Sequence, residues 1–266
     1  MSKGALIFAF DADYCYTDIA AASALQIKRH LGIPVTLVTN VDVSFSCFDQ
    51  VIKLTDVEEQ SRTFKDTNSQ RVVKWLNTNR FDAYKLSPYD QTLVVDADYF
   101  VCSKSLSYLF DTDLEFACYN KAFDVTNQKR LESCKRVSPI SIPMQWATVM
   151  YFTKNKFAES VFGMMQHIKK HFSYYARLYH FNETVYRNDF SLSIALQVLS
   201  GYSTKNHSAI LGSIFTVDTS VELVDFNLVD ESLTYKVGDK VCKIKNTDLH
   251  IMNKNDLSQL VVVPKL

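Results

Sequence analysis

Glycine is scarce, with six in 266 residues, and neither G-x-G-x-x-G nor G-x-x-x-x-G-K-[ST] occurs. A loop that cradles phosphates with bare backbone N–H groups is thereby excluded, so any nucleotide must be held in another way. The six cysteines, at 15, 47, 102, 118, 134 and 242, form no C-x-x-C pair and have no histidine at zinc-ligand spacing. Neither a disulfide scaffold nor a zinc site is supported by that pattern, and reduced thiols in a cytoplasmic protein are expected. Asp, Lys and Arg interrupt every apolar run before the ~18 residues of a membrane span, so no membrane partner is expected. The opening MSKGALIFAF is too short and too soon acidic for a signal peptide and reads as a strand.

What is present is a hydrophobic content of 47%, with 13% aromatics, enough to bury a large core. The formal net charge of zero conceals an uneven distribution. From Tyr119 to Arg187 there are eleven Lys and Arg against four Asp and Glu, and His167, His171 and His180 lie in the same stretch. Two readings stand: solvated helix faces, or a basic wall facing an anionic partner.

Along residues 4–98, strand and helix patterns alternate in the manner of a doubly wound parallel sheet. ALIFAF, VTLVTN, VIKL and TLVVDAD read as strands, and YTDIAAASALQIKRH as a helix whose basic end suits its dipole. Further helices are predicted around Ser69 to Thr78 and over Arg80 to Leu86. In the second half SLSYLF reads as a short helix, and LEFACY and ATVMYFTK as strands, the latter antiparallel. KFAESVFGMMQHIKKHFSYYARLY is predicted as one helix and NDFSLSIALQVLSG as another, with short strands SIFTV, VELVDF, LTYKVG and KVCKIK after them. No linker or low-complexity tract appears, so residues 1–266 are expected to form a single domain.

One tetrapeptide occurs twice, in FAFDADYCY (Phe8 to Tyr16) and LVVDADYFV (Leu93 to Val101). Each copy comes after an apolar strand, where ligands of open parallel sheets collect. Asp96 and Asp98 are two apart in an extended chain, so both carboxylates can project to one side and share a divalent cation. Hard oxygen donors favour Mg²⁺ or Mn²⁺. His250 in DLHIMNK is a candidate third ligand, and Lys254 a candidate phosphate contact.

These segments resemble GT-A fold nucleotide-sugar glycosyltransferases, closest in pattern to glycosyltransferase family 8, the group of glycogenin and bacterial galactosyltransferases. They also resemble small glycosyltransferases encoded by tailed bacteriophages. The resemblance spans most of the chain and implies an α/β fold, a Rossmann-like mixed sheet flanked by helices. Residues 1–100 would be the nucleotide-binding half and 101–266 the acceptor-binding half. It implies a UDP-sugar donor, with the base near Asp11 and the nucleoside pocket lined by Ala9, Phe10, Asp13 and Tyr14. Mn²⁺ or Mg²⁺ would be held by Asp96, Asp98 and His250, with Ala97 beside them and Lys254 on the diphosphate. Arg80, sixteen residues before Asp96, takes the place of the family's donor-contacting arginine. QWATVMYF and YRNDFSLSIAL stand where the family has its Asn-x-Gly strand and DQD helix. They make Gln145, Trp146, Thr148, Asn188 and Asp189 candidate sugar or acceptor contacts, with Asn188 and Asp189 the catalytic candidates. Departures are plain: Asn-x-Gly has become Trp-Ala-Thr, Arg187 replaces the first Asp of DQD, and the glycine of the terminal HxxGxxKPW motif is absent. The family implies retention of anomeric configuration.

The acceptor is expected to be a hydroxyl, and the phage likeness makes duplex DNA carrying a hydroxymethylated base the leading choice, in the host cytoplasm. On that view KKHFSYYARLYHF, which interleaves cations and aromatics, tracks a phosphate backbone and stacks an exposed base. A polysaccharide or protein hydroxyl is the competing class. The rival function is a haloacid-dehalogenase-type phosphatase with Asp11 as nucleophile. Cys15 stands where that family's motif has Thr or Val, and about 165 residues after Asp98 would have no role. A non-catalytic sugar- or nucleotide-binding module is the third reading.

Overall fold

The computed structural model describes residues 1–65, 70–126, 135–181, 185–202 and 208–261. Cys134, Ser69 and part of the basic stretch lie outside them. The chain begins with β1 (Lys3–Phe8), α1 (Tyr16–Leu31), β2 (Val35–Thr39) and β3 (Gln50–Lys53). A hairpin comes next, β4 (Gln60–Lys65) and β5 (Gln70–Trp75), and then a tight 3-10 turn at Arg80–Asp82. It leads into α2 (Ala83–Leu86), β6 (Gln91–Asp96), β7 (Tyr99–Phe100), β8 (Phe116–Tyr119), β9 (Ala122–Asp124) and β10 (Trp146–Thr153). The helices α3 (Lys156–Lys170), α4 (Phe172–Leu178) and α5 (Asn188–Leu199) succeed them. Short strands β11 (Ser208–Ala209), β12 (Ile214–Val217), β13 (Leu223–Asn227), β14 (Ser232–Val237), β15 (Lys240–Lys245) and β16 (Leu249–Ile251) lead to α6 (Lys254–Leu260).

The main sheet has seven strands in the order β11-β8-β10-β6-β1-β2-β3 and is flanked by helices. Strands β6, β1, β2 and β3 run parallel, and β10 runs antiparallel between β6 and β8. Its central strands are apolar almost without alternation because both faces are covered, as in other doubly covered sheets. The sheet draws strands from both sides of residue 100. A second sheet, β7-β16-β12-β9, sets β16 antiparallel to β7 and brings His250 opposite Tyr99. That pairing positions the site.

Two glycines have specific work. Gly32 ends α1 in the left-handed region (φ 64°), where its N–H bonds the Lys28 carbonyl at 3.1 Å. At Gly4 a Cβ would lie 2.4 Å from the Tyr89 ring, whose hydroxyl is 2.8 Å from Thr36 Oγ1.

Two expectations are corrected. The helix predicted around Ser69 to Thr78 is absent: Gln70–Trp75 is a strand. Val72, Val73 and Leu76 have helical spacing, but β-branched and aromatic residues favour the pleated partner supplied by Gln60–Lys65. The long helix predicted from Lys156 is broken at His171 (φ −114°, ψ 31°) into α3 and α4. The break carries Phe172 to within 5.5 Å of Phe181 and 5.4 Å of Tyr186, ring centre to ring centre. The cysteines described are free, and burial pushes the Cys102 and Cys118 thiols up to about 12. Among the described residues no helix is long and apolar enough to cross a membrane.

Candidate functional site

Where β6 ends, Asp96 lies beside Phe8 of β1, and the chain turns through Ala97 and Asp98 into β7. Because β16 pairs with β7, His250 faces this turn. Its Nε2 is 3.3 Å from the Asp98 carboxylate and 4.0 Å from that of Asp96. Ligand atoms of Asp96, Asp98 and His250 all lie within 4.8 Å of one another. Two carboxylates and one imidazole at that spacing suit a hard divalent cation such as Mn²⁺ or Mg²⁺. His250 Nδ1 is buried without a hydrogen-bond partner, so packing and the carboxylates orient the ring.

Two cations flank this acidic floor. Lys254 opens α6, and its ammonium pairs with Asp98 and donates to the Ile251 carbonyl at 2.7 Å. The Arg80 guanidinium pairs with Asp96. Burial opposes ionisation of both carboxyls, with opposite outcomes. Burial, together with the neighbouring Asp98 charge, holds the Asp96 carboxyl above the usual carboxylate range despite Arg80 and His250. Burial acts on Asp98 too, but Lys254 and His250 outweigh it and hold that carboxyl well below the usual range.

The walls arise from an irregularity in β10. Trp146 pairs with Tyr119, yet the next pair is Met150 with Cys118, so the residues between leave the ladder with β8. Ala147 then has both backbone groups free for side chains. Its carbonyl accepts from Arg80 Nη1 at 2.6 Å, and its N–H donates to Asp189 Oδ1 at 2.9 Å. Arg187, 3.2 Å from Asp189 Oδ2, completes this corner. Asn188 Nδ2 donates to the Asn77 carbonyl at 2.9 Å and ties α5 to the exit of the β4–β5 hairpin.

Together these groups enclose a cavity of about 180 Å³. The structure brings to its lining Phe10, Arg80, Asp96, Ala97 and Asp98 from the first half. Trp146, Thr148, Asn188, Asp189, His250 and Lys254 line it from the second. Four buried polar atoms without partners belong to lining residues: Asn77 Oδ1, Arg80 Nε, Asn188 Oδ1 and His250 Nδ1.

Five residues singled out in the sequence lie off this lining. Ala9 prolongs β1, bonding the Val38 carbonyl at 2.9 Å. The Asp11 carboxylate accepts from the Thr17 N–H at 2.8 Å and from its hydroxyl at 2.7 Å, capping α1 in place of Cys15. Asp13 accepts from the Lys74 N–H at 2.8 Å and clasps the hairpin. Tyr14 meets Tyr16 edge to face at 6.1 Å. Gln145 is turned toward Cys118, whose thiol lies 3.5 Å from its Oε1. Asp11, so engaged, is poorly disposed as a phosphatase nucleophile.

Sequence reasoning passed over Phe8, Tyr16, Trp75, Leu76, Asn77 and Met252, all of which line the cavity. Reading 70–75 as a strand would have placed Trp75 to Asn77 at a strand end. The aromatics of KKHFSYYARLYHF largely pack together. Tyr175 stacks on Tyr179, and the Phe181 and Phe190 rings meet at a tilt of 56° with centres 4.8 Å apart. Lys169 is engaged by Glu58, Thr78 and Asn79. Tyr174 is left exposed.

No protein-family model and no curated protein matches the chain. Among solved structures it is similar to the glycosyltransferase GlyE of Streptococcus pneumoniae TIGR4, at 17% identity and a TM-score of 0.43 over 79% of this chain and 46% of that one. The chain thus spans less than half of that protein. The galactosyltransferase LgtC, solved with donor and acceptor sugar analogs, is similar at 14% identity and a TM-score of 0.44. There 73% of this chain and 70% of that chain are covered. Mouse xyloside xylosyltransferase 1 is similar at 11% identity and a TM-score of 0.40, over 76% of this chain and 83% of that one. All three likenesses are distant.

Proposed function

We propose that the protein is a metal-dependent glycosyltransferase that moves a sugar from a UDP-sugar to a hydroxyl acceptor. The observation that carries this reading is the Asp96–Asp98–His250 cluster, flanked by Arg80 and Lys254, in one cavity at the carboxyl ends of parallel strands. Asp96, Asp98 and His250 would hold Mn²⁺ or Mg²⁺, which supplies Lewis-acid neutralisation of the departing diphosphate when bound. Lys254 and Arg80 add fixed positive charge toward the same diphosphate, an electrostatic contribution of about 3–4 kcal/mol for one well-placed group. Asp189 holds the Ala147 backbone, and Asn188 ties α5 to the hairpin wall. Asp11 and Asp13 shape the nucleoside end through α1 and the hairpin, and residues 1–266 act as one catalytic unit.

DNA carrying a modified base recedes as acceptor, because most aromatics it would need for stacking are packed against one another. A carbohydrate or protein hydroxyl is the better-supported class. The test is incubation with Mn²⁺ and a panel of UDP-sugars, with UDP release expected and its loss in excess EDTA. Hydrolysis of p-nitrophenyl phosphate, abolished by Asp11→Asn and unaccompanied by UDP release, would overturn the proposal in favour of the phosphatase.

A further inference from the structure

His167 and His171, singled out in the basic stretch, lie outside the cavity lining. His167 is in the last turn of α3, and His171 ends that helix four residues on. The His171 N–H bonds the His167 carbonyl at 3.1 Å, so this turn is helical and the two side chains share one face. Both residues are exposed. Their ring centres are 4.6 Å apart, with the planes tilted by 48°. From α4 the Tyr175 ring meets His167 edge to face at 6.1 Å and backs the pair from across the helix break.

Among the described residues neither imidazole has a hydrogen-bond or ion-pair partner, so the ring nitrogens are open to a ligand. Histidines at i and i+4 are the ligand pair of the H-E-x-x-H zinc helix, because that spacing lets both reach one ion. With metal–nitrogen bonds of about 2.0–2.1 Å, and roughly 1.1 Å more to each ring centre, two imidazoles on one ion have centres about 4.5–5.2 Å apart. The 4.6 Å spacing falls in that range.

The surrounding charge permits a cation. Lys169, between the two histidines, is turned to Glu58, Thr78 and Asn79. Lys170 is exposed and screened by solvent, and the carbonyl end of α3 is the negative pole of its dipole. Donor chemistry separates this place from the acidic floor, which offers two carboxylates and one imidazole. A pair of imidazoles suits Zn²⁺, Ni²⁺ or Cu²⁺ and is poor for Mn²⁺ or Mg²⁺. No third His, Cys, Asp or Glu among the described residues completes the set, so water fills the rest of the shell.

We propose that His167 and His171 form a second metal site, one that takes a borderline transition cation such as Zn²⁺. His171 is the break residue itself, so an ion held by both rings pins the junction of α3 and α4 that carries Phe172 against Tyr186. The site does not rest on the transferase reading.

The test is calorimetric titration of the full chain with ZnCl₂ at about pH 7.5, where unperturbed imidazole is mostly neutral. His167→Ala and His171→Ala are compared with the wild type; exposed positions of this kind tolerate substitution within about 0.5 kcal/mol. Each variant should weaken one bound Zn²⁺ by at least ~10-fold, since even outer-shell partners of metal ligands have that effect. A parallel Mn²⁺ titration should be the same in all three chains. Independently of the variants, paramagnetic resonance of the Cu²⁺-loaded wild type should show a species with two imidazole nitrogens, whereas the floor offers one. Zn²⁺ bound as well by either variant as by the wild type, or no Cu²⁺ species with two imidazole nitrogens, overturns the site.

Discussion

The same four residues, Asp-Ala-Asp-Tyr, cap two adjacent parallel strands and meet opposite fates. After β1 the next element is a helix, and its free N–H groups take the Asp11 carboxylate through Thr17, while Asp13 takes the N–H of Lys74. After β6 the next element is a strand that pairs with β16, and the carboxylates meet the side-chain cations of Arg80 and Lys254 and the His250 imidazole. Tyr99 is fully buried, and Asp98 is 7% exposed. Identical sequence thus gives a scaffold at one strand end and a charged floor at the other. The element downstream of each copy decides its fate, because backbone donors use up a carboxylate that side-chain cations leave open to a competing cation.

The largest effect is expected from Asp98→Asn, which should lower transfer ~10²–10³-fold and abolish the calorimetric heat of Mn²⁺ binding. Asp13→Asn, the matching change in the other copy, should leave that heat in place; equal loss in both would erase the distinction. His250→Gln should weaken Mn²⁺ at least ~10–100-fold, the range seen even for outer-shell partners of metal ligands. Asp11→Ala should lower stability in urea by about 1 kcal/mol through the lost cap, with Asp11→Asn recovering part of it. Asp11→Asn should also raise the donor KM and leave turnover measurable.

The smallest effect concerns the second tether of the hairpin. Glu58 is held 2.6 Å from Lys169, and that hydrogen bond lowers its pKa. A depressed folded-state value means that the stabilisation is present above the unfolded value of ~4.3 and is lost as pH falls through the folded one. Glu58→Gln should therefore cost about a few tenths of a kcal/mol at neutral pH, given its exposure, and nothing in acid. Urea midpoints at both pH values check this.

Much of this arrangement was legible in the sequence because local pattern and tertiary outcome agreed. The buried runs of β1, β2 and β6 and the span of α1 with its basic end are written in consecutive residues, as is the Asp96–Asp98 spacing. The hairpin was not legible: Val72, Val73 and Leu76 fit a helical face, and only pairing with a segment some ten residues away makes them a strand. Trp75 and Asn77 were lost with it. The role of Asp11 was hidden for a related reason, since a carboxylate before a helix can cap it or face a ligand, and Thr17 decides between them.

The backbone of Ala147, gripped on one side by Arg80 and on the other by Asp189, works as a ruler. It ties the Asp96 end of the floor and the start of α5 to one residue of β10. The hairpin wall hangs from separate clasps, at Asp13 and Glu58. Substitutions at Trp75 or Asn77 can therefore retune which molecule the cavity admits while the spacing of its charged floor is kept.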